Sequence, residues 1–159
     1  MRRSATRPRF SISTKAGVLR LLPILYARVS IPRAVADELS RGLEIGVDLP
    51  DFRNLSWLRI RELDPPHRLS LTAELGSGEQ EVLALGLRMP GTVIVMDERR
   101  CRLHAETLKL TCTGTLGILL RAKRAGHISR VLPILERLNS LGFRLSGKTY
   151  SAVALLAGE

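Results

Sequence analysis

Apolar positions along the chain alternate between two spacings. Residues 93–96 are continuously apolar, Pro90-Gly91 punctuate their start, and the run stops abruptly at Asp97, Glu98, Arg99 and Arg100. Such a run predicts a strand buried on both faces, as in a parallel sheet covered by helices. Upstream, Val18, Leu19, Leu21, Leu22 and Leu25 recur at helical spacing, which predicts a helix over 15–26 despite Pro23. Residues 29–31 read as a short strand, and Pro32 as the first residue of a helix carrying Ala34, Val35, Glu38 and Leu39 and closed by Gly42. A loop follows over 46–54, then a partly exposed strand over 55–63 that Pro65-Pro66 breaks.

The second half repeats the alternation. Ser77 with Gln80 three residues on reads as a capping box before the apolar run 82–87. Beyond the central strand, Cys101, Ala105 and Leu108 share a helical stripe over 98–108. A strand over 110–113 and helices over 116–125, 129–141 and 146–156 complete the chain, with Gly126 and Gly142 as stops. Strand and helix in turn predict one wound α/β domain over 15–159. Residues 1–9 hold four arginines, a proline and no acid, so residues 1–14 read as a basic arm whose 10–13 segment is at best a poor edge strand.

Composition narrows the function classes. A chain of 159 residues, 45% apolar, can bury a core without staples, and Cys101, Cys112 and three scattered histidines form neither a disulfide framework nor a zinc site. The start lacks the apolar run of a secretory signal, and no stretch approaches a membrane span, so a reducing cytoplasm is the expected setting. The excess of 25 Lys and Arg over 15 Asp and Glu, net +10, favours a polyanion such as nucleic acid. Aromatic content of 4% leaves few stacking platforms of the kind single-strand binders use.

The candidate chemistry rests on acids. Asp97 stands at a strand's carboxyl end, where open α/β sheets bind ligands; it is placed to hold a metal ion, to cap the following helix, or to do both. Glu38 projects from the apolar side of its helix, a costly position unless a metal ion or an arginine compensates it. Glu79 and Glu81 fall in the first turns of their helix, where the helix dipole favours acids whether or not they act in catalysis. Arg99, Arg100 and Arg102, with Arg121, Lys123 and Arg124, are candidate phosphate contacts or a solvated basic face. A phospho-accepting receiver built on Asp97 and Thr115 would need paired acids after the first strand, which are absent.

Five segments in order, residues 29–39, 78–85, 93–100, 113–126 and 142–146, resemble the PIN-like proteins of the DUF3368 group, and the likeness runs from about Lys15 to the end. The resemblance implies a three-layer fold, with a small central parallel sheet flanked by helices. It also implies a Mg2+- or Mn2+-dependent ribonuclease, in some members the toxin of a toxin–antitoxin pair. RNA, a cognate antitoxin and a second copy in a homodimer are the partners it suggests. On the family pattern Glu38, Asp97 and one of Glu79 and Glu81 match the acids of the site, and Glu98 stands where a second acid is often found.

The departure is at the front. The family's first strand ends in an Asp followed by Thr-Ser-Pro, whereas the matching place here, residues 6–9, reads Thr-Arg-Pro-Arg, and no acid precedes Asp37. Metal-assisted phosphodiester hydrolysis needs several carboxylates to hold the ions and orient water. Exchanging the central one for arginines removes a ligand and adds repulsion. The expectation is weak Mg2+ or Mn2+ binding with little cleavage, either through degeneration to a nucleic-acid- or protein-binding PIN-like chain or through a misassigned start. A Val/Ile/Leu run ending in Asp-Thr-Ser-Pro in the upstream reading frames would identify the second case.

Overall fold

The computed structural model describes residues 17–63 and 74–159. A 3-10 turn, Val18–Leu21, leads into α1 (Leu22–Leu25), then β1 (Val29–Pro32), α2 (Arg33–Glu44), β2 (Leu58–Arg61), α3 (Ser77–Arg88), β3 (Val93–Val95), α4 (Arg99–Thr107), β4 (Thr111–Thr113), α5 (Thr115–Arg124), α6 (Leu132–Ser140) and α7 (Gly147–Ala157). All strand pairing among the described residues is parallel. Val29 faces Leu58 in the β1–β2 pair, and Val93 faces Thr111 in the β3–β4 pair.

The fold is the expected α/β arrangement of helices around small parallel sheets. The described strands form two two-stranded pieces, with α3 packed against both β1 and β3. The basic arm, where the family's first strand would end at residues 6–9, and the 10–13 segment lie outside the described residues. Burial follows the periodicities. Ile94 is buried at the centre of β3, while β2 exposes Arg59, Ile60 and Arg61 and so forms the partly solvated strand expected of it.

Two apolar clusters hold the layers. The larger joins Val18, Leu21 and Leu22 to Ile118, Leu119 and Ala122 of α5, to Leu135 and Leu138 of α6 and to Val153 of α7. The smaller joins Leu83 of α3, Ile94 and Met96 with Cys101 and Ala105 of α4, which is the stripe expected on that helix. Gly86 makes the α3–β3 contact possible, because a Cβ there would meet Ile94 Cδ1 at 2.6 Å.

Helix ends depart from the sequence expectation in instructive ways. Pro32 is the N-cap of α2 and not its first residue, and Gly42 is buried inside the helix. The stop is Gly46, at φ 76°, with Gly46 N–H bonded to Leu43 O and Val47 N–H to Gly42 O in a Schellman closure. The same closure ends α5 at Gly126, as expected, and ends α4 at Lys109, which takes φ 56° without being glycine. Helix α6 opens at Leu132, later than the periodicity indicated.

Candidate active site

Asp97 is delivered by the β3–β4 pairing. Met96 N–H donates to Thr113 O at 2.8 Å, so the ladder runs one residue past β3 and sets Asp97 beside Gly114. Asp97 Oδ1 accepts the Thr115 backbone N–H at 2.7 Å, and Oδ2 accepts the Thr115 hydroxyl, also at 2.7 Å. Thr115 is the first residue of α5 and fully buried, so Asp97 satisfies the start of α5. At α4 the N-cap is Glu98, whose side chain makes no capping bond. The cap residue of α4 is thus Glu98 where Asp97 was expected, and the Asp97 carboxylate caps a helix that opens eighteen residues downstream.

Gly114 has to be small for this contact. A Cβ on it would lie 2.8 Å from Asp97 Oδ1, 3.3 Å from Met96 O and 3.8 Å from Arg102 Nη1. The same point lies within 4 Å of both the carboxylate and the Arg102 guanidinium. A cation beside the central acid opposes a metal cation there.

The other acids gather at the start of α3. Glu38 on α2 lies against Gly78, where a Cβ would meet its Oε1 at 2.9 Å and Oε2 at 3.1 Å, and no hydrogen-bond donor reaches Glu38 among the described residues. Glu81 points back to α2: its Oε2 accepts the Ala34 N–H at 2.9 Å. That bond has a local cause, since the N-cap Pro32 offers no side-chain acceptor and leaves the first N–H groups of α2 to be satisfied from elsewhere.

Glu79 closes the start of its own helix, with Oε2 accepting the Gly76 N–H at 2.9 Å. The N-cap is thus Gly76, one residue earlier than the Ser77 expected, and only the returning half of a capping box is made, by Glu79 and not Gln80. Ser77 is already helical, and the Gln80 side chain donates instead to Leu75 O at 2.8 Å. Glu79 also bears on α4. Burial, followed by a hydrogen bond to Glu79 and the charges of Glu79 and Glu98, pushes the Cys101 thiol up to about 12. Cys112 is raised as well, chiefly by burial. Both thiols are protonated at neutral pH and poor nucleophiles.

The starts of α2, α3 and α4 are thus linked through Glu38, Glu79, Glu81, Cys101 and Glu98, with Asp97 next in the chain to Glu98. Among the described residues, no group of three or more His, Cys, Asp or Glu side chains is placed to hold a metal ion. The basic residues divide. Arg99, Arg100 and Arg102 are exposed on the opening turns of α4, at the same end of β3–β4 as Asp97. Arg121, Lys123 and Arg124 close α5, about 9–14 Å along its axis from Thr115. Arg121 lies over the Tyr26 ring at 5.2 Å, and Lys123 Nζ donates to Glu159 Oε1 at 2.7 Å.

Sequence reasoning set Asp97 beside Thr115 only in the receiver reading it excluded, and missed their contact as the cap of α5. The available signal was a Gly-Thr pair opening a helix directly after the neighbouring parallel strand.

Parallel strands, helices wound around them and carboxylates grouped at helix starts define an α/β protein with an acidic site. A family model described as DUF3368, a PIN domain, matches residues 10–159. The chain belongs to this PIN-domain family. No curated protein and no solved structure matches it. Among the described residues, no helix is long and apolar enough to cross a membrane.

Proposed function

We propose that this PIN-family chain binds RNA on the face carrying Asp97 and the opening turns of α4, and that it holds Mg2+ or Mn2+ too weakly for more than trace cleavage. The observation that carries this reading is where the carboxylate oxygens are spent: both of Asp97 on Thr115, one of Glu81 on Ala34 and one of Glu79 on Gly76. A catalytic metal site needs several carboxylates turned toward one point. The described donor set does not fit that requirement, and no hydrolytic step is derived from it.

The RNA contact follows from charge. Arg99, Arg100 and Arg102 are exposed guanidinium groups on one helix end of a chain with net charge +10. Guanidinium groups match phosphate oxygens in bidentate geometry, and their binding releases counterions. Replacing Arg99 and Arg100 together by alanine is expected to weaken binding to a labelled oligoribonucleotide and to lower the slope of log affinity against log salt by about 2. An unchanged affinity and slope would assign these arginines to a solvated face.

One observation favours a second reading, a metal-dependent ribonuclease acting as the toxin of a toxin–antitoxin pair. Glu38 has no hydrogen-bond donor among the described residues, which leaves its carboxylate available to a cation that Asp97, Glu81 and Glu98 could share. Mn2+-dependent RNA cleavage that is lost in Asp97→Asn would establish this reading, and a cognate antitoxin would then be its protein partner.

A further inference from the structure

The amino ends of β1 and β2 lie side by side, because Val29 faces Leu58 in their parallel register. The turns leading into these strands carry Tyr26 and the chain's single tryptophan, Trp57, and both rings are partly buried against the larger apolar cluster. Each comes with an arginine. The Arg121 guanidinium lies over the Tyr26 ring at 5.2 Å, and Arg59 Nη1 donates to Ser56 O at 2.9 Å, which turns that guanidinium back toward the turn bearing Trp57. Arg28, next to Val29, adds a third.

All three arginines are exposed, and none has an acidic partner among the described residues. Grouped at one end of a sheet in a chain of net charge +10, they favour a polyanion over a second copy of the chain. The rings say which polyanion. The sequence offers few stacking platforms, yet two of its three Tyr and Trp residues fall here. Nucleobases stack on aromatic rings and on guanidinium planes, and a guanidinium already laid on a ring loses little further freedom when a base or phosphate arrives. Base faces are open in an unpaired strand and closed in a duplex, and an acidic peptide brings carboxylates without planar faces.

We infer that the amino end of β1–β2 is a second nucleic-acid surface, which takes single-stranded RNA with phosphates on Arg28, Arg59 and Arg121 and a base against Trp57. It is separate from the α4 face. Helix α2 starts at the other end of β1, where Glu81 and Glu38 tie it to the start of α3, and the hydrogen bond between Glu79 and Cys101 ties α3 to the opening turns of α4. The two surfaces therefore lie at opposite ends of the strands, and this one does not need the α4 face to bind.

The test uses Trp57 as its own reporter, since no other tryptophan contributes to the emission of the full chain. The Arg99→Ala/Arg100→Ala variant, with the α4 face weakened, is titrated with a short oligouridylate, with an RNA duplex and with inorganic polyphosphate. The oligouridylate is expected to quench Trp57 saturably, and the duplex and the polyphosphate to leave the emission unchanged. Adding Arg28→Ala and Arg59→Ala, both at exposed positions, should weaken the oligouridylate about tenfold or more and lower the slope of log affinity against log salt by about 1.4. The inference is overturned if the oligouridylate leaves Trp57 unquenched, if polyphosphate quenches it equally, or if the added changes leave affinity and slope as they were. Loss of all RNA binding in Arg99→Ala/Arg100→Ala alone would also overturn it, while leaving the α4 reading in place.

Discussion

Asp97 and Thr115, eighteen residues apart, are joined by two hydrogen bonds of 2.7 Å each, one to the backbone N–H and one to the hydroxyl. This pair ties the end of β3 to the start of α5, and it decides both how the sheet edge is held and how much of Asp97 is left for chemistry. Thr115→Val keeps the shape and removes the hydroxyl donor. It is expected to cost about 1.5–3 kcal/mol, the range for a hydrogen bond to a charged group, read as a lower urea midpoint.

Gly114 tests the same contact from the backbone side. Its φ of −125° suits any residue, so the glycine is there for space. Gly114→Ala pushes a methyl group into Asp97 Oδ1 and Met96 O and is expected to destabilise by about 1–3 kcal/mol. Gly147→Ala, in the first turn of α7 with nothing within 4 Å of the added carbon, should be neutral or slightly stabilising. Equal costs at the two sites in chemical denaturation would remove the steric account of Gly114.

Lys109 closes α4 in a conformation that favours glycine. Lys109→Gly relieves the left-handed strain while adding freedom to the unfolded chain, so the net expected gain is about 0.5–1 kcal/mol. Destabilisation would show that the lysine side chain does more at that helix end than bear the strain.

Glu159 gives the acid limb of stability a definite sign. The hydrogen bond from Lys123, with those from Val131 and Leu132, holds its carboxyl at about 2 against an ordinary 4.5. A folded-state value below the unfolded one contributes stability that is full above about pH 4.5 and is lost as the pH falls toward 2. Glu159→Gln should therefore flatten the fall in thermal midpoint between pH 4.5 and 2. An identical pH profile in the variant would place the acid sensitivity elsewhere.

The elements were legible where a local pattern determines them. The apolar run at 93–96, the helical stripe of Cys101 and Ala105 and the glycine stop at Gly126 each depend on neighbours within a few residues, and each was read correctly. What the sequence hid were contacts made across the fold. Glu81 caps α2 because Pro32 cannot, Asp97 reaches across to α5, and α3 opens at Gly76 because Glu79 can reach back to a backbone N–H that needs no side chain at the cap. The basic residues were legible as a charge excess but not as two groups, since only the direction of α5 separates Arg124 from Arg102. Glu38, Asp97, Glu79 and Glu81 were legible as acids on or next to helices. How many of those carboxylates already serve backbone donors required coordinates.

The most direct test of the account is a calorimetric titration of the purified chain with Mn2+, run beside the Asp97→Asn variant. The account predicts no saturable binding tighter than about 1 mM in either protein, because too few carboxylates converge and Arg102 stands beside the central one. Saturable binding well below that concentration, abolished by Asp97→Asn, would contradict it and establish a working metal centre.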